Sequence, residues 1–359
     1  MRLGHVDDLK VALTAGVIAT HAGITYGTEG DWFYREPGGG ALGDALLVPL
    51  ALGSLFGMGL FFFLAGAFTP AALERKGVRR FLADRWLRLG LPFAVFVAAV
   101  VPLVQWLADA GGGLDVSAAG EWRQQLGDLD SGPLWFVGVL LLYSTVYGLA
   151  AGRVGVPVAR GGLTGRLVLV TMAGVALASF AVRLVFPIDS SQVFAAHVWQ
   201  WGQCAGLFLL GLHAGRHGWL ADVPAWLRRR YGWALAGGAV VVVVMIGVQD
   251  GDLDPLGGGL TWQSAVVCAT EGVMATAAAL VLPDLFRRRN RGRIAVVAGR
   301  SAYGAYLLQA PVLVAIALLL RPADLPPAVK LLALATTAVT ACFALAAALV
   351  RLPGVRQVL

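Results

Sequence analysis

HVDDLKVALTAGVIATHAGITYG, residues His5 to Gly27, is an apolar run long enough to cross a bilayer, yet it carries a lysine and a histidine in its interior. A helix turns about 100° and rises about 1.5 Å per residue, so Lys10 and His21 stand about 20° apart around the axis and about 16 Å apart along it. Asp7, Thr14 and Thr25 fall on the same stripe, while Val11, Leu13, Val17, Ile18 and Ile24 fill much of the remaining surface. The segment reads as a helix with a polar seam in a greasy body. An ionisable side chain at the bilayer centre costs about 3 kcal/mol or more and survives where it faces a cavity or a partner. The seam therefore predicts a polar pocket inside the membrane. The plainer alternative has Lys10 snorkelling to the interface and His21 making one buried hydrogen bond.

The rest of the chain agrees with a membrane setting. Of 359 residues, 58% are hydrophobic and 14% charged, against a charged share of about 25% in soluble domains. Ten segments are apolar enough to be read as spans: Val6 to Tyr26, Asp44 to Thr69, Trp86 to Ala108, Pro133 to Ala151, Leu167 to Pro187, Val198 to Gly215, Tyr231 to Val248, Thr261 to Leu282, Ile294 to Leu320 and Ala328 to Val350. The connections alternate in charge. Arg2, the tail and the second, fourth, sixth and eighth connections gather 22 of the 28 lysines and arginines, whereas the stretch from Asp109 to Asp130 and the run Asp250, Asp252, Asp254 are acidic. Short cytoplasmic loops accumulate Lys and Arg, so the expectation is an all-α polytopic protein of about ten transmembrane helices, both termini cytoplasmic, forming a single domain over residues 1–359. The first span has no short apolar core followed by a cleavage site, and is expected to be retained.

That distribution ties the net charge of +7 to orientation and anionic lipid, and no nucleic-acid partner is expected. Cys204, Cys268 and Cys342 stand singly in apolar runs, a pattern that gives neither a disulfide framework nor a metal site.

Few buried polar residues remain to carry chemistry. His21 is the histidine well inside a span, and an imidazole that titrates near neutral pH suits a general base taking a proton from an attacking hydroxyl. Glu271, mid-way along the eighth span, is the carboxylate placed to orient or charge-pair with such a base; equally, it pairs with Lys10 or Arg183 merely to satisfy both charges. Arg85 and Arg88, three residues apart at the mouth of the third span, form a pair suited to phosphate, although arginines at such a mouth also serve orientation. Trp32, Tyr34 and Trp122 lie in the long outer connections and could floor an outward-facing site.

Several of these stretches share a resemblance. VDDLKVALTAGVIATHAGITYG resembles the first helix of the integral-membrane acyltransferase 3 family, whose signature is an arginine, ten residues and a histidine. FFFLAGAFTPAALERKGVRRFLADRWLRLGLP resembles its second helix, basic loop and RxxR motif, and GPLWFVGVLLLY and RSAYGAYLLQAPVLV resemble later spans. The TYG ending and the Trp262 to Glu271 segment are most similar to the branch that includes glucan-modifying succinyltransferases.

The resemblance implies transfer of an acyl group, of acetyl or succinyl type, from cytoplasmic acyl-CoA to a hydroxyl of an extracytoplasmic glycan or other envelope acceptor, in a bacterial plasma membrane. Carried over by position, His21 is the catalytic histidine, Arg85 and Arg88 hold CoA phosphates, and Lys10 lies along the route of the pantetheine arm; no metal is required. The oxyanion donor is left open, with Tyr306 and Gln309 as the two candidates. Lys10 stands where the family has arginine, keeping the charge without the bidentate fork. Ala65 replaces a serine and Gln309 a frequent histidine. The rival readings are a multi-span transporter of a polar or lipid-linked substrate and a catalytically degenerate protein that binds acyl-CoA.

Overall fold

The computed structural model describes residues 4–27, 30, 32–36, 40–154, 162–188, 190, 193–219, 225–249, 253–287 and 293–358. Arg2, Arg160, Arg288, Arg289, Arg291, Asp250 and Asp252, which enter the charge alternation, lie outside the described residues. Among those described, all regular structure is helical. In chain order come α1 (Gly4–Tyr26), α2 (Gly40–Ser54), α3 (Gly57–Arg85), α4 (Leu91–Val95), α5 (Val101–Gly112), α6 (Ala118–Asp128), α7 (Trp135–Val154) and α8 (Gly165–Arg183). They are followed by α9 (Trp201–His217), α10 (Ala225–Gly247), α11 (Asp254–Gly257), α12 (Trp262–Arg287), α13 (Arg293–Leu320), α14 (Pro327–Leu349) and α15 (Val355–Val358). Wider π-helical turns, Trp86–Gly90 and Phe96–Val100, join α3, α4 and α5 into one continuous run.

Seven helical stretches among the described residues are long and apolar enough to cross a membrane: Gly40–Gly112, Ala118–Arg153, Gly165–Arg183, Trp226–Gly247, Trp262–Arg287, Ala295–Leu320 and Pro327–Leu349. The number differs from the ten segments read from sequence for physical reasons. The run Gly40–Gly112 covers 73 residues and takes in two of the expected spans, bending at Gly77, whose φ of 69° and ψ of 161° suit a glycine. Helix α1 is diluted by its own polar seam, and α9 is only 17 residues long.

The seam of α1 faces inward. Asp7, Thr14 and Thr25 are buried, whereas Ala12, Gly16 and Ala19 on the opposite face are exposed. Its neighbours are α12, α13 and α14. Helix α12 is the hub of the other half, packing on α8, α10 and α1, and its many alanines, among them the buried Ala275, Ala277, Ala278 and Ala279, let those helices approach.

The tightest pairing joins α3 to α9. Gly211 and Gly215, one turn apart on α9, face the backbone carbonyls of Phe63 and Ala67 on α3 so closely that any Cβ would collide with them. In lipid, where apolar side chains gain nothing by leaving solvent, such small-residue contacts carry much of the packing. Gly211→Leu or Gly215→Leu should therefore cost about 1–3 kcal/mol of stability, measured as earlier thermal unfolding of the purified protein in detergent, while Gly16→Leu, at a position with open space around it, should leave the transition unchanged.

Candidate functional site

The packing of α1 on α13 brings His21 against Gln309. His21 Nδ1 lies 2.9 Å from Gln309 Oε1. An amide oxygen only accepts, so Nδ1 holds the proton of the neutral ring and Nε2 keeps its lone pair. Gln309 is fully buried, the imidazole only partly. Among the described residues Gln309 Nε2 has no hydrogen-bond partner.

One face of the imidazole is covered by Trp32. The rings stack at 4.1 Å with 12° between their planes, and Phe33 meets the indole edge-on at 5.3 Å. The segment that carries Trp32 is fastened at its far end, where Glu36 N–H donates to Thr25 O of α1 at 2.8 Å and Lys330 Nζ of α14 donates to Glu36 Oε2 at 2.9 Å. His197 stands just before the short Val198–Gln200 turn. Its ring lies 5.1 Å from Trp135 and 6.2 Å from Trp199.

A second polar knot lies on α8, α9 and α12. Arg183 donates to Glu271 Oε2 at 2.6 Å, and Gln203 Nε2 donates to Glu271 Oε1 at 2.8 Å. The same Gln203 amide donates to Leu55 O at 2.8 Å and accepts from Gly59 N–H at 2.9 Å. These backbone groups belong to the break between α2 and α3, where the helical ladder is interrupted, so one side chain repairs a broken helix inside the protein. The Arg183 guanidinium also lies 5.2 Å over Trp199. Of the two partners read from sequence, Arg183 is the one Glu271 takes. The carboxylate gives both oxygens to Arg183 and Gln203, and the residue that stands at His21 Nδ1 is Gln309.

The remaining sequence-chosen residues occupy separate positions. Lys10 Nζ lies 3.9 Å from Asp7 Oδ1 and 5.2 Å over Phe68. Arg85 turns inward, with its guanidinium 5.1 Å over Phe81 and 3.4 Å from Thr69 Oγ1, and its Nε is buried without a hydrogen-bond partner. Arg88 is exposed and pairs through Nε with Asp84 at 3.2 Å, which also takes Lys76 at 2.8 Å. The expected arginine pair is thus one half-buried and one exposed cation.

Helix α13 links the two regions. Tyr303 OH donates to Arg88 O at 2.8 Å, Tyr306 OH to Pro133 O, and Gln309 meets His21. Spaced three residues apart, these side chains run along one stripe over about 9 Å of helix. Tyr306 packs among Phe61 and Phe136, with Phe62 and Tyr143 beyond. Its hydroxyl is engaged by Pro133, which leaves Gln309 as the one of the two candidate oxyanion donors with an uncommitted N–H. The contacts of Gln203 and Asp84 are not legible in the sequence, which offers Trp32 only as an aromatic of an outer connection that could floor a site.

A family model described as an acyltransferase domain matches residues 5–347. No curated protein and no solved structure matches the chain.

The buried ion pair has a stability signature of its own. Glu271→Ala should cost about 3–5 kcal/mol, because it strands the Arg183 charge, while the double replacement Arg183→Met with Glu271→Leu should cost less than either single change; thermal unfolding in detergent reads both.

Proposed function

The chain belongs to the acyltransferase domain family matched by its residues 5–347, and on that premise we propose that it carries an acyl group from acyl-CoA on the cytoplasmic side of a bacterial plasma membrane to a hydroxyl of an extracytoplasmic glycan or similar envelope acceptor. The observation that carries this reading is the His21 to Gln309 hydrogen bond at 2.9 Å. It leaves Nε2 as the basic nitrogen of a ring that points into the protein rather than to lipid. The family membership favours group transfer over the transporter reading, which the same buried charges would otherwise allow.

In this account the acceptor hydroxyl gives its proton to His21 Nε2 as its oxygen attacks the thioester carbonyl carbon. The carbon–oxygen bond forms, the carbonyl π electrons move onto oxygen, and collapse of the tetrahedral intermediate breaks the carbon–sulfur bond. The imidazolium returns its proton to the departing thiolate, so the enzyme ends as it began. Gln309 acts as a positioning residue: its carbonyl fixes the tautomer and accepts a stronger hydrogen bond as the ring becomes charged. Arg85 and Arg88 hold the CoA phosphates, the inward Arg85 through its unpartnered Nε and the exposed Arg88 by exchanging Asp84 for phosphate. Lys10 lends positive charge along the route. Glu271 supports the site from a distance, by holding α8, α9 and the α2–α3 break together.

Vesicles holding the protein, given labelled acetyl-CoA or succinyl-CoA and assayed by mass spectrometry of the envelope glycans, test the reading. His21→Ala should lower the rate about 10²–10⁴-fold; a wild-type rate would overturn the assignment of the base. Gln309→Leu should fall between wild type and His21→Ala, with Gln309→Glu recovering activity because a carboxylate also accepts from Nδ1–H. Arg85→Ala and Arg88→Ala should raise KM for acyl-CoA while changing kcat much less.

A further inference from the structure

An acyl transfer needs a donor for the charge that develops on the carbonyl oxygen, and of the two candidates named above one is committed and the other stands at the Nδ1 edge of the ring. Tyr306 OH is committed to Pro133 O. Gln309 holds the Nδ1 edge of His21, the edge opposite the lone pair that takes the proton. One further donor touches the ring. Trp32 Nε1 is buried and has no hydrogen-bond partner among the described residues. An indole N–H is a donor and nothing else, so no rotation of the group can trade its role for that of an acceptor. Burying it unpaired costs stability, and the ring is held in place by stacking on His21 and by Phe33 at its edge.

The geometry of the reaction says what such a donor could meet. The attacking oxygen lies in the imidazole plane, along the Nε2 lone pair. Rotation about the forming carbon–oxygen bond can set the oxyanion to one side of that plane, level with a ring stacked on that side, whose N–H lies in its own plane. Trp32 covers one face, at 4.1 Å and nearly parallel. We propose that Trp32 Nε1–H is the hydrogen-bond donor to the acyl carbonyl oxygen, stabilising the oxyanion of the tetrahedral intermediate. The proposal rests on His21 acting as the base, and it makes Trp32 a catalytic residue, since its N–H touches a reacting atom.

The test compares three proteins in the same vesicle assay, with acetyl-CoA or succinyl-CoA as probe: Trp32→Phe, a variant carrying benzothienylalanine at position 32, and His21→Ala. Benzothienylalanine keeps the shape and stacking of tryptophan but puts sulfur where the N–H was, so it remains informative if Trp32→Phe fails to fold. Loss of one preorganised oxyanion donor lowers kcat about 10²–10³-fold; that loss is expected in both Trp32 variants, with KM for acyl-CoA and for acceptor changed little. Wild-type kcat in the benzothienylalanine protein would overturn the proposal. So would a loss confined to KM for acceptor, which would make the N–H part of acceptor binding. If His21→Ala is inactive and the Trp32 variants are wild type, the donor inference fails alone; if His21→Ala keeps its rate, the base reading fails and the donor inference with it.

Discussion

A polar group buried in a helical membrane protein must find its partner within the protein, since lipid offers none. In this molecule that constraint is met at His21 by Gln309, and the rest of the site is organised around the bond. It joins α1 to α13, orients the imidazole, and decides which nitrogen holds the proton. Trp32 then closes one face of the ring, and the segment carrying it is anchored to α1 and α14 through Glu36. A stability requirement and a chemical one are met by the same contact.

The same constraint explains the second polar knot. The break between α2 and α3 frees backbone groups at Leu55 and Gly59, and the Gln203 amide satisfies both while donating to Glu271. Arg183 neutralises the carboxylate at 2.6 Å. Both charges are fully buried, and each is tolerable only because the other is present. Close backbone contact at Gly211 and Gly215 holds α9, which bears Gln203, against α3. The network is thus mechanical support for the packing of α8, α9 and α12 on the α2–α3 break.

Much of this was legible in the amino-acid order, and the limits have physical causes. The polar stripe of α1 follows from helical period alone, and its burial agrees with that reading. Apolar runs located the helices, but hydropathy cannot say that two runs continue as one helical stretch through Gly40–Gly112. Pairings between distant helices are not encoded in period. Glu271 had two basic candidates, and only packing chose Arg183 over Lys10. Gln309 stood out as a departure from the family pattern, yet its contact with His21 lies 288 positions away in sequence. Trp32 comes from a connecting segment, where no periodicity applies.

The central claim is that the neutral His21 ring carries its proton on Nδ1, held there by Gln309, with Nε2 open to a substrate. Nitrogen-15 NMR of the protein in bilayers, with labelled histidine and His21 identified by subtraction of a His21→Asn sample, reads the two ring nitrogens directly. The account predicts a protonated Nδ1 and a bare Nε2 at neutral pH, with that preference lost in Gln309→Leu. A proton on Nε2 with Nδ1 bare, or a tautomer indifferent to the loss of Gln309, would contradict it.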